Sequence, residues 1–205
     1  MAAEWLTIAV DAALEAINSG AEALEGVVLE SSDPAGVLRD CLSMGCALDA
    51  AQSLQSLQVE PKQREMCLAI GKALQRNRSI SDLLFKVKRE ILSDQAGVAL
   101  AEALGKNSTL QSFTLEASGR QLGDRVDVAL AEALGKNITL QSFTLEASGT
   151  QLGDRAGVAL AEALRTNSTL QSFTPKASGT QLGDRTGVAL AEALGTKTAH
   201  CSPLC

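Results

Sequence analysis

The chain has 205 residues and a formal net charge of -6, with 45% hydrophobic, 20% charged and only 2% aromatic residues, none of them tyrosine. That apolar fraction excludes a disordered chain and is enough for the core of one or two ordinary domains. With so few rings, the core must be filled by Leu, Val, Ile and Ala, which points to helices with small faces.

At the start, MAAEWLTIAVDAALEAI carries Glu4 and Asp11 and no early positive charge, unlike a secretory signal. No run of about 18 uncharged apolar residues follows, so no transmembrane helix is expected. Cysteines at 41, 46, 67, 201 and 205 are odd in number and cluster towards the ends, which argues for reduced thiols rather than a disulfide framework. A soluble, cytoplasmic protein is the expectation, with no membrane contact.

Further along, the same phrase returns in progressively clearer form. AEALEGVVLE (21 to 30) resembles NSTLQSFTLE (107 to 116), and LSMGCALDAAQSLQSLQVE (42 to 60) matches VALAEALGKNSTLQSFTLE (98 to 116) in a unit about four residues shorter. Residues 68 to 97 align without a gap to the unit that follows: Leu74 with Leu104, Asn77 with Asn107, Ile80 with Leu110, Phe85 with Leu115, Asp94 with Asp124. Residues 98 to 127 and 128 to 157 are near-identical, differing only at Ser108/Ile138, Arg120/Thr150, Val126/Ala156 and Asp127/Gly157. A third copy spans 158 to 187, and a fourth begins VALAEALGTKT at 188 and then stops, so the period is 30. These units predict one array over 1–195: divergent units in 1–67, an intermediate unit in 68–97 and near-identical repeats in 98–195. The count is six strand-bearing units and a terminal helix, with 196–205 as a disordered tail.

Each unit has two halves with different periods. In DRAGVALAEAL, Asp154 suits an N-cap, and Asp94, Asp124 and Asp184 hold the same place. Leu160 and Leu164 stack four apart on one helical face, with alanines allowing close approach. Gly135 and Asn137 suit the helix exit. The second half, TLQSFTL, alternates: Phe143 and Leu145 share one strand face, and Ser142 and Thr144 share the other. Neither half can bury its apolar side alone, whereas stacking the units into a parallel sheet lined by helices buries both.

The pattern L-x-x-L-x-L, a loop, L-G-D and a helix ending A-L-A-E-A-L resembles the ribonuclease-inhibitor type of leucine-rich repeat, also found in the repeat domains of NOD-like receptors and Ran GTPase-activating proteins. The resemblance is strong over 98 to 195, moderate over 42 to 97 and weak over 1 to 30. It implies an α/β leucine-rich-repeat solenoid, a horseshoe with a parallel inner sheet and outer helices. That family usually carries an Asn three residues after the last strand leucine; here Ser118, Ser148 and Ser178 stand there. An inter-repeat ladder would then use those hydroxyls or the amides of Gln121, Gln151 and Gln181. The third copy replaces Leu145 and Glu146 with Pro175 and Lys176, which would blunt a last strand against edge pairing.

No constellation for catalysis is present. The one histidine, His200, lies in the tail sequence HCSPLC with Cys201 and Cys205, too few ligands for a zinc site. Gly105-Lys106 and Gly71-Lys72 are not followed by the Ser or Thr of a phosphate-binding loop. The repeated aspartates have capping to do, and Glu102, Glu132, Glu162 and Glu192 belong on a solvated face. Four sequons, at Asn77, Asn107, Asn137 and Asn167, recur with the repeat and read as structural asparagines. The N-terminal 60 residues carry net -9 and residues 61 to 95 net +4. The basic stretch, with Lys86, Lys88 and Arg89, has no interleaved aromatics for base stacking, so it reads as a solvated face rather than a nucleic-acid site.

What remains is the inner sheet, a common binding surface in solenoids. Its outward columns are expected to be Asp82, Ser112, Ser142 and Ser172; Leu84, Thr114, Thr144 and Thr174; and Lys86, Glu116, Glu146 and Lys176. The expected function is a non-catalytic protein-interaction module, resembling the repeat domain of a NOD-like receptor, with no cofactor, metal or small-molecule substrate. Two other readings stand beside it: a regulator of a GTPase or nuclease, and a structural fragment of a larger repeat protein.

Overall fold

The computed structural model describes residues 6–9, 26–30, 55–61, 64–88, 92–118, 124–148, 154–176 and 184–195. In chain order these form β1 (Leu6–Ala9), β2 (Gly26–Glu30), β3 (Ser56–Glu60), α1 (Arg64–Leu74), β4 (Asp82–Lys88) and α2 (Asp94–Lys106). They continue through β5 (Ser112–Ser118), α3 (Asp124–Lys136), β6 (Ser142–Ser148), α4 (Asp154–Thr166), β7 (Ser172–Lys176) and α5 (Asp184–Gly195). All described strands join one parallel sheet in the order β1 to β7; strands neighbour strands and helices neighbour helices of adjacent units, with one core between the two layers. This is a leucine-rich-repeat-type solenoid.

The register reproduces the sequence period. Asp82 pairs with Ser112, Ser112 with Ser142 and Ser142 with Ser172, each 30 residues on. Ser56 pairs with Asp82, the unit four residues shorter, and Gly26 pairs with Ser56. The sheet holds seven strands, not six: β1 pairs Leu6 with Val27, an offset of 21 that no 30-residue self-comparison finds. The tail residues 196–205 lie outside the described residues.

Strand alternation puts Leu57 and Val59, Leu83 and Phe85, Phe113 and Leu115, and Phe143 and Leu145 on the buried side. Opposite them the helices offer Leu100 and Leu104, Leu130 and Leu134, and Leu160 and Leu164, all buried with intervening alanines. Phe113, Phe143 and Phe173 stack through the sheet with centroids 5.6 and 5.8 Å apart and ring planes within 20°. Offset stacking at that spacing adds to the area that the rings bury.

The helix ends differ from the sequence reading. In α2 the cap is Ser93, whose extended backbone (φ -71°, ψ 159°) lets its Oγ accept from the Ala96 N–H at 3.3 Å. Asp94 is therefore the first helical residue and complements the positive end of the helix from inside the first turn. Asp124, Asp154 and Asp184 likewise open their helices. At the other end Asn107 is the C-cap in extended backbone (φ -72°), its N–H donating to the Ala103 carbonyl at 2.8 Å. Gly135 lies inside α3, so neither residue supplies the left-handed turn that usually ends a helix.

The asparagines have a larger role than ending a helix. The Nδ2 of Asn107 donates to Leu74 O (2.8 Å) and Asn77 O (3.2 Å). Asn137 repeats this with Leu104 O (2.7 Å) and Asn107 O (3.2 Å), and Asn167 with Leu134 O (2.7 Å) and Asn137 O (2.8 Å). Each Oδ1 accepts from the N–H groups two and three residues on, at 2.7 to 2.9 Å. This asparagine ladder links unit to unit at the helix exits, before the strands. The alternative at Ser118, Ser148, Ser178 and the nearby glutamines falls on residues whose side chains lie outside the described set.

Candidate functional site

The face of the sheet turned away from the helices carries the three expected columns. Asp82, Ser112, Ser142 and Ser172 stand in register; Leu84, Thr114, Thr144 and Thr174 form the second row; Lys86, Glu116, Glu146 and Lys176 form the third. All twelve lie on this face: Asp82 and Lys176 are exposed and the others half-buried. Alternation produces this, since the buried residues Leu83, Phe85, Phe113, Leu115, Phe143 and Leu145 alternate with them along the strands. The rows amount to a stripe of hydroxyls bordered by one charged row.

That charged row is internally paired. The Lys86 ammonium lies 3.3 Å from a Glu116 carboxylate oxygen, and Lys176 donates to the Glu146 carboxylate. The hydrogen bond to Glu146, with the charges of Glu146 and Glu116 behind it, holds the Lys176 ammonium above its ordinary pKa. Glu116 and Glu146 are neighbours in register, so two like charges sit side by side, each offset by a lysine on its far side. At Asp82 a carboxylate oxygen accepts from the Ser81 hydroxyl at 2.6 Å. Hydroxyls and two ion pairs can hydrogen-bond and steer a partner. Among the described residues no group of three or more His, Cys, Asp or Glu is placed to hold a metal ion. His200, Cys201 and Cys205 lie outside those residues, and Cys67 is buried and outside any disulfide.

The outer helix surface is solvated as its sequence pattern implies. Glu102 pairs with Lys106 and Glu132 with Lys136, both at 3.6 Å, while Glu162 takes Arg165 through two bonds of 2.9 and 2.6 Å. The Arg165 guanidinium, by hydrogen bonding first, holds the Glu162 carboxyl below its usual value of 4.5. Of the basic stretch, Lys86 belongs to the sheet face, while the side chains of Lys88 and Arg89 lie outside the described residues.

Two open grooves were not evident from the sequence. One, of about 810 Å³, runs along the N-terminal ends of the strands, where Gln111, Gln141 and Gln171 line a polar rim around Ile138. Ile138 is 76% exposed there. The other, about 800 Å³, lies between α4 and α5 and presents Val158 and Val188 beside Arg155 and Arg185. Their sequence signal was the 30-residue recurrence of Gln111, Gln141 and Gln171 and of Val158 and Val188, whereas Ile138 is a departure from it. No described helix is long and apolar enough to cross a membrane.

No protein-family profile matches the chain, and no curated protein matches its sequence. Among solved structures it is similar to the actin-binding site 2 of leiomodin-1, with a TM-score of 0.59 and 17% identity over 77% of this chain and 88% of that one. A protein from Bacteroides fragilis aligns over 93% of this chain and 72% of its own at 11% identity, with a TM-score of 0.40. The leiomodin likeness is one of fold, and the chain is a repeat-protein module of that kind.

Proposed function

We propose that this chain is a non-catalytic protein-protein interaction module of the ribonuclease-inhibitor type of leucine-rich repeat, comparable to the repeat domain of a NOD-like receptor, arranged as a single array over residues 1–195. Its partner binds the sheet face. The observation that carries this reading is the half-exposed hydroxyl stripe of Ser112, Ser142, Thr114 and Thr144, which no element of the described structure covers. A parallel sheet left open on one face by its own helices is the binding surface that solenoids commonly use. The stripe has no Trp, Tyr or Arg to anchor a tight interface, so the expected contact is broad and many-pointed. Actin is the first partner to try, because a solved actin-binding fragment shares the fold.

The test is proximity labelling in cells with the wild-type chain and with Thr114→Arg/Thr144→Arg. Two arginines on the stripe leave the core untouched and block close approach. The expected result is loss of most labelled partners, with unchanged far-UV ellipticity; an unchanged partner list overturns the reading. Co-sedimentation of both proteins with filamentous actin asks the narrower question.

A further inference from the structure

The four sequons coincide with the buried asparagines: Asn77-Arg78-Ser79, Asn107-Ser108-Thr109, Asn137-Ile138-Thr139 and Asn167-Ser168-Thr169. We propose that this makes N-glycosylation and the folded state mutually exclusive, so that the chain reaches its fold only in a compartment without an N-glycosyltransferase.

The chemistry follows from the acceptor atom. Transfer forms a bond from the sugar C1 to the asparagine Nδ2, while the phosphate-linked carrier leaves with the C1–O electron pair and the amide gives up one proton. One N–H remains. In the folded chain both are committed: Asn137 donates to Leu104 O and Asn107 O, Asn167 to Leu134 O and Asn137 O, and Asn107 to Leu74 O and Asn77 O. A sugar on any of them takes an N–H donor from one of the two carbonyls that it holds in the preceding unit. Space forbids it as well, since Asn107, Asn137 and Asn167 are 3% exposed and Asn77 is 1% exposed. The residues after them are accessible; Ile138 is 76% exposed, and Ser108 and Ser168 are exposed too. An unfolded chain therefore offers four good acceptors, and a folded chain offers the same tripeptides with the reacting atom turned inward.

The consequence is directional. Modification before folding removes ladder members that no later step restores, whereas folding first protects all of them. Conserving the amide while removing the hydroxyl acceptor signal, as in Ser79→Ala/Thr109→Ala/Thr139→Ala/Thr169→Ala, separates the two effects, because this variant keeps every ladder asparagine and cannot be modified.

The experiment uses the full purified chain, a soluble N-glycosyltransferase and its sugar nucleotide. One sample is folded before the enzyme is added; the other is diluted from urea directly into the enzyme. Peptide mass mapping reads occupancy, and limited proteolysis reads the folded core. Occupancy at Asn107, Asn137 and Asn167 is expected to rise at least about 100-fold more slowly in the folded sample, because reaction there requires opening of the unit. Chains modified during dilution are expected to lack the protease-resistant core, while unmodified chains and the quadruple variant treated identically regain it. Modification of the folded chain at wild-type-unfolded rates overturns the proposal, as does a modified chain with a protease-resistant core equal to the unmodified one. Failure of the sheet face to bind any partner leaves these outcomes untouched.

Discussion

Asn137 makes four hydrogen bonds to the backbone from one short side chain, two to carbonyls of the preceding unit and two from N–H groups of its own turn, and accepts a longer fifth from the Thr139 hydroxyl. Asn137→Ala leaves three backbone groups in buried positions, and the half-buried Thr139 N–H, without this side-chain partner, at about 1–3 kcal/mol for each buried group that finds no water. The expected loss is about 3 kcal/mol or more of unfolding free energy, read as a lower urea midpoint. Ser168→Ala, at the exposed position of the equivalent turn in the next unit, is expected to stay within about 0.5 kcal/mol of wild type. An equal effect of the two substitutions would refute a structural ladder. The sequence showed an asparagine at this place in four successive units, Asn77, Asn107, Asn137 and Asn167, and helix capping was a sufficient explanation for it. Its reach into the preceding unit was not legible, because that depends on the distance between adjacent helix ends, which only packing sets.

At the scale of elements, the helices of neighbouring units interlock by size. A Cβ on Gly97 would lie 2.6 Å from the Val126 methyls, and one on Gly157 would lie 2.1 Å from the Thr186 methyl. In the sequence Asp127 and Ala156 stand at the same offset of 29 residues, so each of the three pairs joins a larger residue to a smaller one. Two of the four differences between the near-identical copies, Val126/Ala156 and Asp127/Gly157, thus fall at this contact. Gly157→Ala, which on an exposed helix would gain stability, is expected to cost about 1–3 kcal/mol by overpacking against Thr186. Adding Thr186→Ala is expected to recover most of that loss, and a double-mutant cycle by urea denaturation measures the coupling. Additive effects would show that the helices shift apart instead. The strand columns were readable from alternation alone, since period two decides which face a residue takes. The four residues Leu6–Ala9 were not, because so short a strand carries no periodic signal and pairs at an offset of its own.

For the molecule as a whole, contacts between adjacent units only mean that stability is close to a sum over units and their interfaces. Removing 98–127 or 128–157 gives products that differ at only four positions, yet the joints differ. The first deletion sets Gly97 against Ala156, a loose but permitted fit. The second sets Asp127 against Thr186, where even a bare Cβ has no room. The second product is therefore expected to unfold at lower urea, by about 1–3 kcal/mol. Equal stabilities would mean that the copies are interchangeable and the size matching is incidental. The horseshoe class and its period were legible because near-identical copies repeat every spacing several times over. The partner was not, because a row of serines and threonines carries hydrogen-bonding capacity without a shape.

The order of the sheet has an optical consequence. The only tryptophan, Trp5, immediately precedes β1 in the sequence, there is no tyrosine, and the described helices all begin at Arg64 or later. Tryptophan emission therefore reports on the end of the chain next to β1, and the ellipticity of the described helices on residues 64–195. Composition has labelled this protein at a single end, so two ordinary spectra followed through one titration report whether that end and the helical units melt together or apart.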